Sequence, residues 1–128
     1  MPAEQSAFSY AILRVVPDMQ RGEFINAGVV LFARQHGFLA AKVGLDREKL
    51  RAIDPRIDLD AAEAALDAAV RVAAGEADAG PIAALDQSER FGWLTAPASA
   101  LVQASPTHTG LCDDPQRALE ELFADLVG

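Results

Sequence analysis

The sequence predicts a single α+β domain over residues 1–128, with an antiparallel or mixed sheet of about five strands and about three helices, mainly on one face. Two observations lead to this class. Segments rich in β-branched and aromatic residues are grouped together, and they do not alternate strictly with the helical patterns. In addition, 51% of the residues are hydrophobic, which is enough for a core without disulfides or metal ions.

The first strand is predicted at Phe8–Val16, a run of β-branched and aromatic residues that Pro17 ends. Both alternating faces of this run are apolar except at Arg14. Two apolar faces indicate a strand in the interior of a sheet, with one face covered by helices.

The next two strands are predicted at Phe24–Ala33 and Phe38–Gly44. The short connection Arg34–Gly37 between them ends in glycine, which predicts an antiparallel hairpin. Gly28 inside the second strand indicates either a β-bulge or a close approach of neighbouring backbone.

Two helices are predicted in the middle of the chain. Asp46 is expected to cap a short helix that ends at Ile53. The segment Asp60–Glu63 matches a capping box with Asp in its first position, and the helix that it opens is expected to reach about Ala74. Gly75 is a typical residue for ending that helix, and residues 75–81 are expected to form a surface loop.

The last helix is predicted from Asp114 followed by Pro115, which is a capping residue followed by proline at the first helical position. Its buried stripe is expected at Leu119, Leu122, Phe123 and Leu126. Between the loop and this helix, Phe91–Ala96 and Ala100–Ala104 are expected to form a second hairpin.

Composition excludes several classes of function. The net charge is −8 and the basic residues are interleaved with acidic ones, so we expect no binding to nucleic acid. No apolar run approaches the roughly 20 residues that span a bilayer, so no membrane association is expected. Met1–Ser6 lacks the pattern of a secretory signal and Cys112 is the only cysteine, which together favour a cytoplasmic protein.

Polar residues of the first two strands are candidates for a binding site. Arg14 is expected either to form a buried ion pair, for which Glu23 is the candidate partner, or to lie exposed at an edge. A carboxylate or phosphate of a ligand is the alternative partner for its charge. Asn26 either satisfies backbone groups near the glycine of the strand or contacts a substrate. Arg21 and Glu23 flank a glycine in a loop, where binding residues are frequent but ordinary polar turns are equally common.

His108 and Cys112 are the residues nearest to a catalytic or metal-binding pattern. They are four residues apart, but no second pair of ligands accompanies them, so no metal and no cofactor is predicted. Cys112, His108 and Asp113 are close in sequence and have the residue types of a nucleophilic triad. Such triads, however, usually assemble from distant segments around an activated thiolate. We therefore predict no catalytic residue.

The segment Arg90–Pro97 contains Trp93, the only tryptophan of the chain. Together with Arg90 and Thr95 it has the composition of a contact surface, in which tryptophan and arginine are enriched. A tryptophan buried in the core is the alternative.

Four long motifs resemble the bacterial domain-of-unknown-function family 3037. They are YAILRVVPD at residues 10–18, RGEFINAGVVLF at 21–32, FGWLTAP at 91–97 and SPTHTGLCDDP at 105–115. Ala98 and Ala104 depart from the family pattern, in which Arg and Pro are frequent. The resemblance implies a protein partner, a HipA-like kinase, and it implies no activity.

These observations favour a non-enzymatic binding or interaction module. The alternative is an enzyme or ligand-binding protein for a small anionic molecule, in which Arg14, Arg21 and Arg90 bind the anion and His108 transfers protons. Convergence of Arg21 and His108 in one concave pocket would favour the alternative, whereas an apolar-centred surface would favour the binding module.

Overall fold

A computed structural model describes residues 5–98 and 100–128. In that part of the chain, five strands form one antiparallel sheet, which confirms the predicted fold class. The strands are β1 (Ser6–Val15), β2 (Ile25–Ala33), β3 (Phe38–Val43), β4 (Val102–Ala104) and β5 (His108–Cys112). Their order across the sheet is β3, β2, β1 and β4, and β5 also pairs with β1.

Four α-helices accompany the sheet within the described residues, one more than expected. They are α1 (Arg47–Ile53), α2 (Leu59–Ala74), α3 (Gln87–Thr95) and α4 (Pro115–Leu126). None of these described helices is long and apolar enough to cross a membrane.

Helices pack on both faces of the sheet, with α1, α2 and α3 on one face and α4 on the other. On the first face the buried core includes Leu13 of β1, Leu50 of α1 and Leu66 of α2. On the second face Leu119 of α4 packs in a cluster with Leu31 of β2. The central strands therefore need apolar residues on both sides, as the pattern of β1 predicted.

The hairpin of β2 and β3 is confirmed, and a 3-10 turn at Arg34–His36 connects its strands. Gly37 ends that turn with φ of 59°, in the left-handed region that favours glycine.

The irregularity predicted at Gly28 is present in both of its expected forms. The pairing of β1 with β2 shifts by one residue after Leu13, which pairs with Gly28, so Ala27 is the extra residue of a β-bulge. A Cβ atom at Gly28 would also lie 2.8 Å from Cγ1 of Val43 and 3.0 Å from the carbonyl oxygen of Lys42. Glycine thus allows β3 to approach the bulge.

The second hairpin, predicted at residues 91–96 and 100–104, is wrong. The first of these segments belongs to helix α3, because the side chain of Asp86 accepts a hydrogen bond from the backbone N–H of Glu89 and caps the helix. Phe91 and Leu94 pack against the core at helical spacing, and this inward face of α3 produced the apolar run that suggested a strand. The second segment contains β4, which pairs with β1 instead.

Strands β4 and β5 together form one interrupted edge strand beside β1. The register with β1 differs by one residue between the two pieces, and Ser105 lies at the break. The N–H of Ser105 donates to the carbonyl oxygen of Ile12 at 2.8 Å, and its Oγ accepts the N–H of Ile12 at the same distance. A buried serine hydroxyl therefore replaces one carbonyl of the ladder.

The helix ends follow the capping predictions with one exception. Asp46 caps α1 and Asp114 caps α4, as predicted. Helix α2 is capped by Asp58, not by Asp60, because the Asp58 side chain accepts the N–H of the third residue after it. Gly75 ends α2 with φ of 71°, as its position in the sequence predicted.

Candidate functional site

Arg14 lies on the face of the sheet that carries α4. Side chains alternate along β1, so Tyr10, Ile12 and Arg14 share one face of the strand. Tyr10 packs against the buried cluster that contains Leu119 of α4. The Cζ atom of Arg14 lies 4.2 Å from the centroid of the Phe24 ring, which is a cation–π contact. An aromatic face therefore contacts the guanidinium of this half-buried arginine.

Glu23 pairs with Arg21, and the predicted ion pair of Glu23 with Arg14 is not formed. The Nε atom of Arg21 lies 2.7 Å from Oε1 of Glu23, and their side chains are 66% and 47% exposed. The hydrogen bond to Glu23 raises the pKa of Arg21 above its ordinary value. The two residues are separated only by Gly22, so the local turn supplies a nearer partner for Glu23 than β1 does.

Asn26 connects β2 to the end of α4. Its Nδ2 donates to the carbonyl oxygen of Leu126 at 3.1 Å, across 100 residues of chain. Its Oδ1, like Nε of the directly paired Arg14, is buried and has no hydrogen-bond partner in the described residues. Asn26 thus contacts a helix end, and not the backbone of the Gly28 bulge.

His108 begins β5 and lies opposite Tyr10 in the sheet register. The centroids of the two rings are 5.3 Å apart, and His108 is exposed to solvent. Four residues of extended strand separate His108 from Cys112, a span of roughly 13 Å. The two side chains therefore lie too far apart to share a metal ion or a proton.

Cys112 is buried at the other end of β5. Burial raises the pKa of its thiol, and the negative charges of Asp113 and Asp114 raise it further. A thiolate is disfavoured at this position, which is the opposite of what a nucleophile requires. The described residues also contain no cluster of three or more His, Cys, Asp or Glu side chains that could hold a metal ion.

Arg90 and Thr95 make hydrogen bonds to backbone carbonyls. The two terminal nitrogens of Arg90 donate to the carbonyl oxygens of Leu85 at 2.7 Å and of Ala73 at 3.3 Å. Thr95 Oγ1 donates to the carbonyl oxygen of Phe91 at 2.8 Å, within α3. Arg90 therefore fastens α3 to the end of α2.

Trp93 is 55% exposed, unlike the half-buried Arg90 and Thr95 of the same helix, and it borders an apolar groove. We term this the α2–α3 groove. It has a volume of about 610 Å³ and is walled by α2, α3, β4 and the loops that flank α3. Representative lining residues are Ala65, Ala68, Val72, Ile82, Trp93 and Pro97. Among the described residues, Gln103 and the indole of Trp93 supply the polar groups of the lining side chains.

Of the eight residues predicted for a site, the groove contains Trp93 alone. Asn26 lines a second cavity of about 690 Å³, between the start of β2, the start of α1 and the end of α4. Its lining combines the four consecutive charged residues 46–49 with apolar side chains, which include Phe24 and Phe123. Arg14, Arg21, Arg90 and His108 line neither of these two cavities.

A comparison with protein families gives one match, described as protein of unknown function (DUF3037), over residues 10–127. The chain belongs to this family. The matched span contains all four motifs that suggested the resemblance and every candidate site residue. No curated protein and no solved structure matches the chain.

In this DUF3037 protein the alanine-rich wall of the groove was missed by sequence reasoning. The apolar periodicity of α2 indicates its buried stripe, which contains Ala62 and Leu66. Ala65 and Ala68 lie on the exposed side and line the groove. Exposed helix positions usually carry charged residues, so alanines repeated on that side are the signal that could have located the groove.

Proposed function

We propose that this DUF3037 protein is a non-enzymatic binding module that holds an apolar segment of a protein partner in the α2–α3 groove. The observation that carries the proposal is the exposed face of Trp93 beside a groove of about 610 Å³ without charged lining residues. Exposed apolar surface of this kind is typical of interaction sites, and tryptophan is enriched among the residues that dominate binding energy.

Covering the exposed part of Trp93 would supply a useful part of the binding energy. Roughly half of a tryptophan surface is on the order of 100 Å², which corresponds to about 2.5 kcal/mol at 25 cal/mol per Å². The small side chains of Ala65 and Ala68 let a partner approach the α2 backbone closely, which adds buried area on that side.

The anion-binding alternative receives less support. It needs Arg14, Arg21, Arg90 and His108 to meet around one ligand. Arg90 donates to two carbonyls beside α3, and Arg21 pairs with Glu23 in an exposed loop. His108 lies on β5 against Tyr10. These contacts belong to separate elements and favour structural roles.

A HipA-like kinase, which the family resemblance implies, is the partner that we propose to test first. The cytoplasmic location predicted from the sequence is part of the same proposal, because both proteins must share a compartment. The groove would then bind an apolar segment of the kinase and place the two proteins in one complex.

The experiment is site-specific photo-crosslinking in the native host, with benzoylphenylalanine at position 93 and, as a control, at Leu111. Leu111 is 64% exposed and lies outside the groove. We expect position 93 alone to yield a discrete crosslinked protein, identified by mass spectrometry. Calorimetry with the purified partner should then show at least tenfold weaker binding for Trp93→Ala, since hot-spot residues cost more than about 1.4 kcal/mol. Equal crosslinking at both positions, or unchanged affinity of the variant, would refute the proposal.

A further inference from the structure

Arg14 is a half-buried arginine whose charge has no acidic partner among the described residues. Its guanidinium forms no salt bridge and no hydrogen bond in that part of the chain. The Nε atom is buried without a partner, so the terminal nitrogens are the ones that water or a ligand can reach. A buried charged donor without an acceptor is rare and costly in a folded protein.

The acidic residues that follow Arg14 most closely in the sequence have other partners. Asp18 accepts a backbone N–H of its own loop at 2.9 Å, and Glu23 pairs with Arg21. Asn26, directly opposite Arg14 in the sheet, has an unpartnered buried Oδ1, but an amide is neutral and cannot balance the guanidinium charge. The surroundings of Arg14 therefore retain one uncompensated positive charge.

Phe24 gives this charge an apolar wall. The ring covers one side of the guanidinium, with its centroid 4.2 Å from Cζ of Arg14, and 43% of the Phe24 surface is exposed. An exposed aromatic face beside an unpaired guanidinium offers both an apolar and a charged contact at one place. Phe24 and Asn26 also line the cavity of about 690 Å³, so a molecule that extends from Arg14 across Phe24 finds space there.

We infer that Arg14 binds the carboxylate of a ligand whose apolar part covers Phe24. The two oxygens of a carboxylate lie in one plane and match the N–H groups of a guanidinium, and its single negative charge balances the one positive charge. A phosphate with nearly two negative charges needs a second cation. Arg21, in the adjacent loop, is already paired with Glu23.

The carboxylate site is separate from the α2–α3 groove. Leu13 lines the groove, and its neighbour Arg14 points to the opposite face of the sheet, which carries α4. The site also differs from the anion site expected from the sequence, because it does not need Arg90 or His108 to converge on the ligand. The crosslinking at position 93 and the test of Arg14 therefore have independent outcomes.

Nuclear magnetic resonance of the Arg14 Nε–H group tests the site in the full chain. The probes are phenylpropionate, its neutral amide phenylpropionamide, acetate and inorganic phosphate. We expect phenylpropionate to shift the Arg14 signal saturably, with a dissociation constant on the order of 1 mM, which is reasonable for a ligand of about eleven heavy atoms. The other three probes should bind at least tenfold more weakly, because each lacks the apolar part, the charge or the matching valence.

A further pair of probes distinguishes two sources of the carboxylate. A tripeptide that ends in phenylalanine with a free carboxylate represents the end of a partner chain, and phenylpropionate represents a free small acid. Tighter binding of the tripeptide supports the site with a chain end as its ligand, and tighter binding of phenylpropionate supports it with a small acid. The C-terminal amide of the same tripeptide is the control and should bind at least tenfold more weakly.

A neutral variant tests whether Arg14 is the residue that binds. Arg14→Gln should weaken phenylpropionate at least tenfold, because it removes the charged donor. The matched control is Arg51→Gln, which changes the net charge equally at an exposed position of α1 and should leave binding unchanged. Circular dichroism establishes that both variants are folded.

The stability of Arg14→Met separates a binding role from a structural one. Methionine keeps an unbranched side chain against Phe24 and removes the unpaired charge, so we expect the melting temperature to rise in the absence of ligand. Saturating phenylpropionate should raise the melting temperature of wild type and leave that of the variant unchanged. Residues retained for binding at a cost in stability behave in this way.

Several results would overturn the inference. Equal binding of phenylpropionate and its amide, or equal affinities of Arg14→Gln and Arg51→Gln, would show that no charged contact is made at Arg14. Phosphate binding as tight as that of phenylpropionate would exclude a site built for a single negative charge. A lower melting temperature of Arg14→Met than of wild type would assign the arginine to the fold and not to a ligand.

Discussion

The backbone N–H of Ile12 donates a hydrogen bond of 2.8 Å to Oγ of Ser105, 93 residues away in the chain. Ser105 is 2% exposed, so neither group can exchange this bond for one with bulk solvent. Its Oγ is also within 2.9 Å of the carbonyl oxygen of Pro106, to which it donates. The Ser105 hydroxyl thus continues the hydrogen-bond ladder with β1 at the break between β4 and β5.

Replacing Ser105 by alanine should destabilise the protein by about 1–3 kcal/mol, because the buried N–H of Ile12 loses its acceptor. The measurement is urea unfolding of Ser105→Ala against wild type. Thr107→Ala, at an exposed position of the same edge, is the control and should stay within about 0.5 kcal/mol. Hydrogen exchange at Ile12 should accelerate in the first variant alone. An unchanged exchange rate would show that the hydroxyl is dispensable.

Two glycines should respond in opposite directions to the same substitution. Gly28→Ala would bring a methyl group within 3.0 Å of backbone at Lys42, so we expect a loss of about 1–3 kcal/mol. Gly92 lies in α3 with open space around its Cβ position, so Gly92→Ala should stabilise the protein by up to about 1 kcal/mol. Thermal unfolding of the two variants provides the comparison. Stabilisation by Gly28→Ala would contradict the close packing of β3 on the bulge.

The first half of the fold could be predicted from sequence because its signals are local. Proline and glycine bound the strands, and Asp46 caps its helix through neighbouring residues. Helix α3 was mistaken for a strand because it has only nine residues, and its inward residues gave too little periodicity to distinguish a helix. The pairing of β4 and β5 with β1 depends on contacts between residues 87 to 106 positions apart in the chain, which no local pattern encodes.

The candidate site could be predicted only in part. Trp93 was identified by its residue type, and its exposure agrees with a contact surface. Arg90 and Asn26 also look functional in sequence, but both hydrogen-bond to carbonyls at helix ends. A polar residue in an apolar segment signals a specific partner, and only the tertiary structure reveals whether that partner lies within the chain.

Arg90 and Arg21 are therefore expected to differ in their effect on stability. Arg90→Ala removes two partly buried hydrogen bonds from a charged donor to backbone carbonyls, and we expect the free energy of unfolding to fall by about 2 kcal/mol. Arg21→Ala removes an exposed ion pair and should leave the melting temperature unchanged. Differential scanning calorimetry of the two variants measures this contrast. A marked loss in Arg21→Ala would indicate that its loop has a structural role that the geometry does not reveal.

The two aspartates at the start of α2 allow a test of the helix boundary. Asp58→Ala should lower the free energy of unfolding by about 1 kcal/mol, because the backbone N–H of Ala61 loses its hydrogen-bond acceptor. Asp60→Ala should cost less, since the contact of Asp60 with Arg47 is an exposed pair and Arg47 also pairs with Glu63. Chemical unfolding of both variants is the measurement. A larger effect at Asp60 would restore the capping box that the sequence suggested.

Cys112 should make the stability of the protein fall at alkaline pH. Its pKa in the folded state is raised above the ordinary thiol value of 9.0 by burial and by Asp113 and Asp114. The unfolded chain therefore releases the thiol proton first as the pH rises, and from that point the folded state is progressively disfavoured. The free energy of unfolding should decline more steeply between about pH 8 and pH 10 in wild type than in Cys112→Ala.

Thiol reactivity checks the same cause independently. Cys112 in the folded protein should react with Ellman's reagent far more slowly than in urea, because both access and thiolate formation are reduced. The reaction rate of the folded protein should still rise with pH at values where the reaction rate of the unfolded chain has reached its plateau. Two results together would contradict this account. They are parallel pH–stability curves for wild type and Cys112→Ala, and equal thiol reactivity in the folded and unfolded states. The thiol would then be neither shielded from solvent nor perturbed by its acidic neighbours.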